Sequence, residues 1–214
     1  MKIDIHIHTR YSPDSLITPV ELMEQCKSKG IEYVGITDHN TIEGALKLKE
    51  EVSIRVIVGE EIKTEHGEII GLFLKNVVPS GLSVVRTIEL IKEQGGIIYL
   101  PHPFDGLRRS MMDIVLLEKI VDKIDVMEVF NSRSLFMLAN DIAFKFAKEH
   151  NIIPAVGSDA HTKYEIGNSY IEMDDFNSGD EFLKKLKNAQ LFARRTPFST
   201  RVRGKAARIL RCID

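Results

Sequence analysis

The chain has little cysteine, and its two cysteines, Cys26 and Cys212, lie far apart in the sequence. Two residues are too few for a disulfide framework, and no cysteine spacing typical of a metal site is present. No apolar run approaches the roughly 18–20 residues that a membrane-spanning helix needs, so no membrane association is expected. No charged and then apolar leader precedes the first strand, and the expected compartment is therefore the cytoplasm.

The composition is that of an ordinary globular domain, with 43% hydrophobic and 28% charged residues among 214. This length supports one well-buried core. Repeats, low-complexity tracts and internal linkers are absent, which predicts a single domain over residues 1–193. A basic segment, 194–214, is expected to pack on this domain or trail from it. Its seven Lys and Arg residues, with no acid before residue 212, would suit nucleic acid or a substrate phosphate, or simply solvent.

Apolar β-type runs alternate with stretches that carry helical signals. The predicted strands cover residues 2–8, 31–37, 54–60, 68–74, 96–100, 124–130, 152–157 and 168–172. A capping box with proline at the first helical position, Thr18-Pro19-Val20-Glu21, begins a helix that Gly30 ends. Only 54–74 reads as two strands in succession, with a turn near His66-Gly67. Alternation of this length predicts a mostly parallel sheet, and seven or eight such strands indicate a barrel.

The first strand carries a metal-binding signal. Its residues alternate strictly, so Asp4, His6 and His8 share one face while isoleucines occupy the other. Ionisable side chains inside a barrel are costly to bury without strong partners. Imidazole nitrogens and carboxylate oxygens both coordinate divalent ions, so His6 and His8 are predicted ligands. Asp4 lies one step deeper and is expected in an ion pair, either behind the ligands or on the barrel floor, rather than as a ligand.

Further ligand-type residues follow the ends of later strands. They are Asp38-His39, Glu60-Glu61, His102, Glu128 and Asp159-Ala160-His161. Because the carboxyl ends of barrel strands meet at one mouth, these residues should surround a common site. Glu60 should point to the opposite face from Glu61. Two other histidines are expected outside the site: His66 in a solvent-facing turn, and His150 at the end of a helix, where its partial charge suits the helix dipole.

Together these motifs resemble the series of the polymerase and histidinol phosphatase (PHP) domain family. The matching segments are His-Ile-His-Thr at 6–9, Ser-Pro-Asp at 12–14, Thr-Asp-His-Asn at 37–40, Gly-Glu-Glu-Ile at 59–62, Pro-His-Pro-Phe at 101–104, Glu-Val-Phe-Asn at 128–131 and Gly-Ser-Asp-Ala-His at 157–161. They occur in order within residues 1–172. The resemblance implies an α/β fold, a distorted, TIM-like (β/α)7 barrel, with a trinuclear metal site at the C-terminal ends of its strands.

The resemblance also implies how the ligands divide among three ions. One ion would be held by His6, His8, Glu61 and Asp159, with Glu61 bridging to a second ion held also by His102. The third would be held by Asp14, His39 and His161. Glu128 is a further predicted ligand, with Asn131 as its competitor for the second ion. The expected cofactors are about two to three divalent ions of Mn, Zn or Fe, with Mg as a further option.

The expected reaction is phosphoester hydrolysis. Clustered ions neutralise phosphate charge and activate a water, so a metal-activated hydroxide would attack a phosphomonoester or a nucleotide or oligonucleotide phosphoester. Glu61, Asp159 and His161 are the predicted catalytic residues. A guanidinium fork suits phosphate, and Arg133, Arg108 and Arg109 are the predicted substrate-binding residues. The expected partners are a small phosphorylated substrate, a nucleotide or nucleic-acid ends, and the oligomeric state is left open.

Two other functions fit part of the pattern. Amidohydrolase-type barrels also begin with His-x-His and end with an aspartate. Those sites commonly use a modified lysine where this chain has Glu61, and they do not require His161. The remaining alternative is a non-catalytic, metal-stabilised binding module attached to a larger assembly.

Overall fold

A computed structural model of the chain describes residues 1–106, 112–197 and 199–200. Its strands are β1 (Lys2–Ile7), β2 (Tyr33–Ile36), β3 (Arg55–Thr64), β4 (Gly67–Leu72), β5 (Ile97–Leu100), β6 (Val126–Asn131), β7 (Ile153–Gly157), β8 (Tyr170–Glu172) and β9 (Gln190–Phe192). Its helices are α1 (Pro19–Lys29), α2 (Glu43–Glu51), α3 (Val84–Glu93), α4 (Ile114–Ile120), α5 (Met137–Glu149) and α6 (Gly179–Leu186), and a 3₁₀ turn covers Val121–Lys123. Among these helices none has the length and apolar character that crossing a bilayer requires.

The nine strands form one sheet in the order β7-β6-β5-β4-β3-β2-β1-β8-β9. Four neighbouring pairs are parallel: β1–β2, β2–β3, β5–β6 and β6–β7. The other four, β1–β8, β3–β4, β4–β5 and β8–β9, are antiparallel, so the sheet is mixed where a mostly parallel one was predicted. The β3–β4 pair is an antiparallel hairpin whose last paired residues are Thr64 and Gly67, which confirms the predicted turn. The end of β7 returns to β1, where Ile7 bridges Ala160. The sheet is therefore a nearly closed, TIM-like barrel.

Local chemistry explains where α1 begins and ends. The Glu21 amide donates to Thr18 Oγ1 over 3.3 Å, and the Thr18 amide donates to Glu21 Oε2 over 3.2 Å. This reciprocal capping box satisfies two amides that a helix start leaves unpaired. Gly30 ends the helix with φ +67°, a left-handed conformation that glycine adopts without a Cβ penalty. Both predicted helix ends are confirmed.

The alternation of β1 decides which side chains enter the barrel. Ile3, Ile5 and Ile7 are fully buried in the hydrophobic core. Asp4 and its neighbours His6 and His8 are buried as well, on the other face. Among the described residues, Asp4 does not form the expected ion pair. Its carboxylate instead accepts hydrogen bonds from the backbone amides of Gly167 (2.8 Å) and Ser158 (3.3 Å), while burial raises the pKa of Asp4 to about 6.

The last strand, β9, escaped sequence-based prediction. It is three residues long and pairs antiparallel with β8, which itself pairs antiparallel with β1. Beyond it the chain runs back along the barrel, where the Thr196 amide donates to the Ser132 carbonyl over 2.8 Å. Most of the basic segment, 201–214, lies outside the described residues, so the boundary between 1–193 and 194–214 stays a prediction.

Candidate metal centre

Ligand-type side chains meet at the C-terminal mouth of the barrel. Within each of four overlapping groups, one nitrogen or oxygen atom per residue lies within 4.8 Å of the others. The groups are His6, His8 and Glu61; His6, His102 and Asp159; His8, Asp14, His39 and His161; and His39, Glu61 and Glu68. Shared members join the groups into one continuous centre. Eight of the nine predicted metal-ligating residues therefore converge, although they come from strand ends far apart in sequence.

Glu61 lies at the middle of this centre. Its Oε1 is 2.9 Å from His102 Nε2, and its Oε2 is 3.1 Å from His8 Nε2 and 3.5 Å from His6 Nε2. His39 Nδ1 lies 3.4 Å from the same Oε2. Although burial opposes the charged carboxylate, the neighbouring imidazoles hold the pKa of Glu61 well below its usual range. The two oxygens thus face different nitrogen donors, as a bridging carboxylate requires.

A second cluster forms around Asp14. Its Oδ2 lies 2.9 Å from His161 Nε2 and 3.4 Å from His39 Nε2. His161 Nδ1 donates to the Asp159 carbonyl over 2.8 Å, so the lone pair of Nε2 faces Asp14. Burial, together with His8 and Arg133, lowers the pKa of His161 to about 4. At neutral pH this imidazole is therefore uncharged, which is the form that binds a cation.

His39 shows the opposite tendency. Although burial favours its neutral form, the carboxylates of Glu61 and Asp14 raise the pKa of His39 to about 9. A raised histidine pKa between two acids indicates that this part of the centre attracts positive charge. A divalent cation bound between the same groups would balance their negative charge and displace the proton from His39.

The residues present fit divalent ions. Glu61 Oε2 and Asp14 Oδ1 are buried and accept a hydrogen bond from none of the described donors. A buried carboxylate oxygen without a donor is costly, and a cation would satisfy it. His102 (φ +29°) and Asp159 (φ +51°) also adopt left-handed backbone conformations, a strain that concentrates at functional sites. Mixed imidazole and carboxylate donors suit Mn²⁺, Fe²⁺ or Zn²⁺.

Glu128 lies beside the centre rather than in any of the four groups. Its Oε1 accepts from His6 Nδ1 (2.8 Å) and from the Tyr99 hydroxyl (2.7 Å). Its Oε2 accepts from the His102 amide and from Asn131 Nδ2, each over 2.8 Å. Protein donors thus approach both oxygens. The geometry favours a carboxylate that orients His6, with His6 Nε2 left facing the centre, over the ligand role that the sequence predicts for Glu128.

Asn131 connects Glu128 to another predicted ligand, because its Nδ2 also lies 3.2 Å from Asp159 Oδ2. Gly157 leaves the space that this arrangement needs. A Cβ at that position would lie 2.1 Å from Glu128 Oε1 and 2.7 Å from the His6 Cβ. No residue larger than glycine fits there without moving Glu128 or His6.

Arg133 is the predicted phosphate ligand that the structure describes. Its guanidinium NH1 donates to the Asp159 carbonyl over 3.4 Å, and its Nε lies 3.5 Å from Glu165 Oε1. The side chain therefore lies at the edge of the Asp14 cluster, with only 16% of its surface exposed. The other two predicted phosphate ligands, Arg108 and Arg109, lie outside the described residues and stay predictions.

Residues expected outside the centre lie outside it. Glu60 is buried on the opposite face of β3, where its Oε2 accepts from the Val78 amide over 2.8 Å. Burial raises the pKa of Glu60 to about 7. His66 is exposed in the hairpin turn, and His150 caps the C-terminal end of α5.

Glu68 is a member of the centre that sequence reasoning missed. Its Oε2 lies 3.9 Å from His102 Nε2, and it shares a group with His39 and Glu61. The β3–β4 register pairs Glu61 with Ile70 and Lys63 with Glu68, which places Glu61 and Glu68 on the same face. The alternation of β4 alone could have put Glu68 on an inward face. The pairing register that brings it to Glu61 is not readable from either strand.

Comparison with known proteins agrees with this geometry. A family model described as the PHP domain matches residues 4–168. An uncharacterized protein of Methanocaldococcus jannaschii is 44% identical over 164 residues, covering 70% of this chain and 93% of that protein. A 5'-3' exoribonuclease of Haemophilus influenzae is 25% identical over 122 residues, covering 50% of this chain and 44% of that protein.

Among solved structures, the chain is similar to a two-domain protein of Bacteroides vulgatus that contains a predicted PHP-like metal-dependent phosphoesterase. The TM-score is 0.72 and the sequence identity is 16%. The alignment covers 91% of this chain and 65% of that chain. At this identity the likeness concerns the fold alone.

Proposed function

The chain belongs to the PHP domain family, and from this premise we propose that it is a metal-dependent hydrolase of phosphoester bonds. The observation that carries the proposal is the convergence of imidazole and carboxylate atoms in four overlapping groups, the atoms of each group lying within 4.8 Å of one another, with Arg133 at the edge. An anionic ester bound there would face cations on one side and a guanidinium on the other.

About two to three divalent ions, when bound, would neutralise phosphate charge and supply a water whose pKa is near 7. The proposed ligand sets are His6, His8, Glu61 and Asp159; Glu61, His102 and Glu68; and Asp14, His39 and His161. Glu61 is placed to bridge because its two oxygens face different imidazoles. Glu128 orients His6 through Nδ1.

The proton that leaves the attacking water needs an acceptor beside the ions. Asp159 Oδ1 lies 3.4 Å from His8 Nε2 and 3.6 Å from His6 Nε2, at the inner side of the centre, and we assign proton transfer to this carboxylate. His161 Nδ1 donates to the Asp159 carbonyl, so Nε2 is the atom left to bind an ion, and we assign His161 the role of a ligand rather than of a proton acceptor. Arg133 also donates to the Asp159 carbonyl, which supports a phosphate position near this acceptor.

The substrate class is a small phosphomonoester, or a nucleotide or oligonucleotide end. The test is a hydrolysis screen with the purified protein loaded in turn with Mn²⁺, Zn²⁺, Fe²⁺ and Mg²⁺. The panel contains nucleotides, short oligonucleotides, sugar phosphates, histidinol phosphate and an amide substrate as a control for amidohydrolase chemistry. Metal-dependent phosphate release supports the proposal. Release no faster than in the chelator-treated protein, for every phosphoester and metal, would reject it.

Arg133→Ala is expected to lower kcat/KM for a good phosphoester substrate without loss of bound metal. The guanidinium contacts the substrate phosphate in the proposed site, and a charge-assisted hydrogen bond contributes about 1.5–3 kcal/mol, or roughly tenfold to 150-fold in kcat/KM. The measurement is steady-state kinetics together with elemental analysis. Arg86→Ala, an exposed arginine on α3, is the control and should match the wild type. If Arg133→Ala is kinetically silent, the phosphate role passes to Arg108 or Arg109.

Glu68→Gln is expected to weaken binding of at least one Mn²⁺ equivalent by about tenfold or more, in the range found when a metal environment is disturbed. The amide keeps the size of the side chain and removes its negative charge. Calorimetric titration of the metal-free protein with Mn²⁺ measures the effect. Glu65→Gln, in the exposed turn of the same hairpin, is the matched control. Identical isotherms for the two variants would place Glu68 outside the metal centre.

A further inference from the structure

The loop after β7 contains a buried acid, Glu165, that the chemistry above does not use. Its side chain is 1% exposed. Its two carboxylate oxygens point in different directions. Oε2 accepts three hydrogen bonds, and Oε1 accepts none among the described donors but lies 3.5 Å from Arg133 Nε. A buried carboxylate must have strong partners. We therefore consider in turn what each oxygen of Glu165 contacts.

The Oε2 side holds the metal-binding loop. The His161 amide donates to it over 2.9 Å, the Thr162 amide over 2.8 Å, and the Thr162 hydroxyl over 3.1 Å. The Glu165 amide in turn donates to the Thr162 carbonyl over 3.0 Å. This closed turn sets the backbone from which His161 extends. The direction of His161 Nε2 toward Asp14 therefore depends on Glu165.

Glu165 Oε1 faces Arg133, the residue proposed to bind phosphate. Arg133 Nε faces Glu165 Oε1, and NH1 of the same guanidinium donates to the Asp159 carbonyl. Contacts at two different nitrogens of a planar guanidinium fix its plane while leaving other N–H groups for a second anion. A free arginine at this position would lose much more side-chain freedom on binding phosphate.

We propose that Glu165 is a positioning residue that couples the two halves of the site, with Oε2 fixing the His161 loop and Oε1 orienting Arg133 toward phosphate. The proposal rests on the function proposed above, but its test uses Mn²⁺ and inorganic phosphate and needs no identified substrate. The test distinguishes the roles of the two oxygens. Glu165→Gln retains one carbonyl oxygen for the loop amides and replaces the oxygen that faces Arg133 by an NH₂ group.

The first measurement is the affinity of the Mn²⁺-loaded protein for inorganic phosphate in a double-mutant cycle of Glu165→Gln and Arg133→Ala. With Arg133 present, Glu165→Gln should weaken phosphate binding by at least about twofold, the lower end of coupling between contacting residues. With Arg133 replaced, Glu165 acts on phosphate only through its like charge, so the same substitution should leave binding unchanged or strengthen it. An equal effect in both backgrounds, or stronger binding in both, overturns the proposal.

The second measurement is Mn²⁺ affinity of the metal-free protein. Glu165→Gln should match the wild type, whereas Glu165→Ala, which removes the acceptor of the loop amides, should weaken one Mn²⁺ equivalent by about 10–100-fold. Glu60→Gln, a buried acid on the other face of β3, is the control and should change neither affinity. Unchanged Mn²⁺ binding by a folded Glu165→Ala protein rejects the loop role. If Glu165→Ala does not fold, Glu165→Asp replaces it and should weaken the same Mn²⁺ equivalent, because the shorter carboxylate no longer reaches the loop amides; unchanged Mn²⁺ binding by this variant also rejects the loop role.

The experiments distinguish failure of the proposed enzymatic function from failure of the positioning role of Glu165. A wild-type protein that hydrolyses no phosphoester, yet shows the coupled phosphate binding, would reject the enzyme and keep the positioning role. An active enzyme whose phosphate affinity does not respond to Glu165→Gln would keep the enzyme and reject the positioning role.

Discussion

Replacing Glu61 by glutamine is expected to lower kcat/KM by at least about a hundredfold, the upper range for a disturbed metal environment. The amide keeps the shape of the side chain but removes the charge that faces His102 on one oxygen and His8 on the other. Without that charge, the side chain would hold divalent ions less tightly. Elemental analysis after reconstitution should show fewer bound ions together with the kinetic loss.

Glu60→Gln is the matched control, since it changes the adjacent residue on the same strand. Glu60 faces away from the centre and accepts one hydrogen bond from the Val78 amide. A glutamine oxygen can accept the same bond, and a carboxyl whose pKa is raised to about 7 is partly neutral at that pH already. Activity and metal content should stay near those of the wild type. Equal losses for the two variants would mean that the inward face of β3 is misassigned.

Metal loading is expected to raise the thermal stability of the protein substantially. A ligand that binds the native state alone stabilises it by about 2.7 kcal/mol per site at a hundredfold excess over Kd. For a domain of this size, 1 kcal/mol shifts Tm by about 2–4 °C, so each occupied site should add roughly 5–10 °C. The physical reason is the cluster of buried acids and imidazoles, whose charges the cations would balance.

Calorimetric scans of the chelator-treated protein with and without Mn²⁺ measure this shift. His39→Ala should reduce the shift and the activity together, because His39 contacts both Asp14 and Glu61. His66→Ala, an exposed histidine in the hairpin turn, should retain the full shift. A Tm that does not respond to Mn²⁺, Zn²⁺ or Fe²⁺ would contradict the assignment of this mouth as a metal centre.

Much of the architecture was readable from the sequence because the signals are local. The capping box at Thr18 and the glycine after α1 depend on residues within a few positions of each other, and both helix ends were predicted correctly. The alternation of residues 2–8 likewise put His6 and His8 on one buried face. Because parallel strands of a barrel end at one mouth, the strand-end positions also predicted that residues from His6 to His161 would meet, whereas Asp14 was expected there only from the family resemblance.

Strand register and long-range hydrogen bonds could not be predicted from the sequence, because neither changes the local residue pattern. Glu68 joins the centre only through the β3–β4 pairing. Glu128 accepts a hydrogen bond from His6, a residue 122 positions away, and with that partner the carboxylate is better placed to orient a ligand than to be one. Asp4 finds backbone amides where an ion pair was expected. The sequence by itself determined most of the elements, with β9 as an exception, and most of the strand ends that carry ligand-type residues. The tertiary structure decided which atoms face each other, since contacts between distant residues depend on the whole packed barrel.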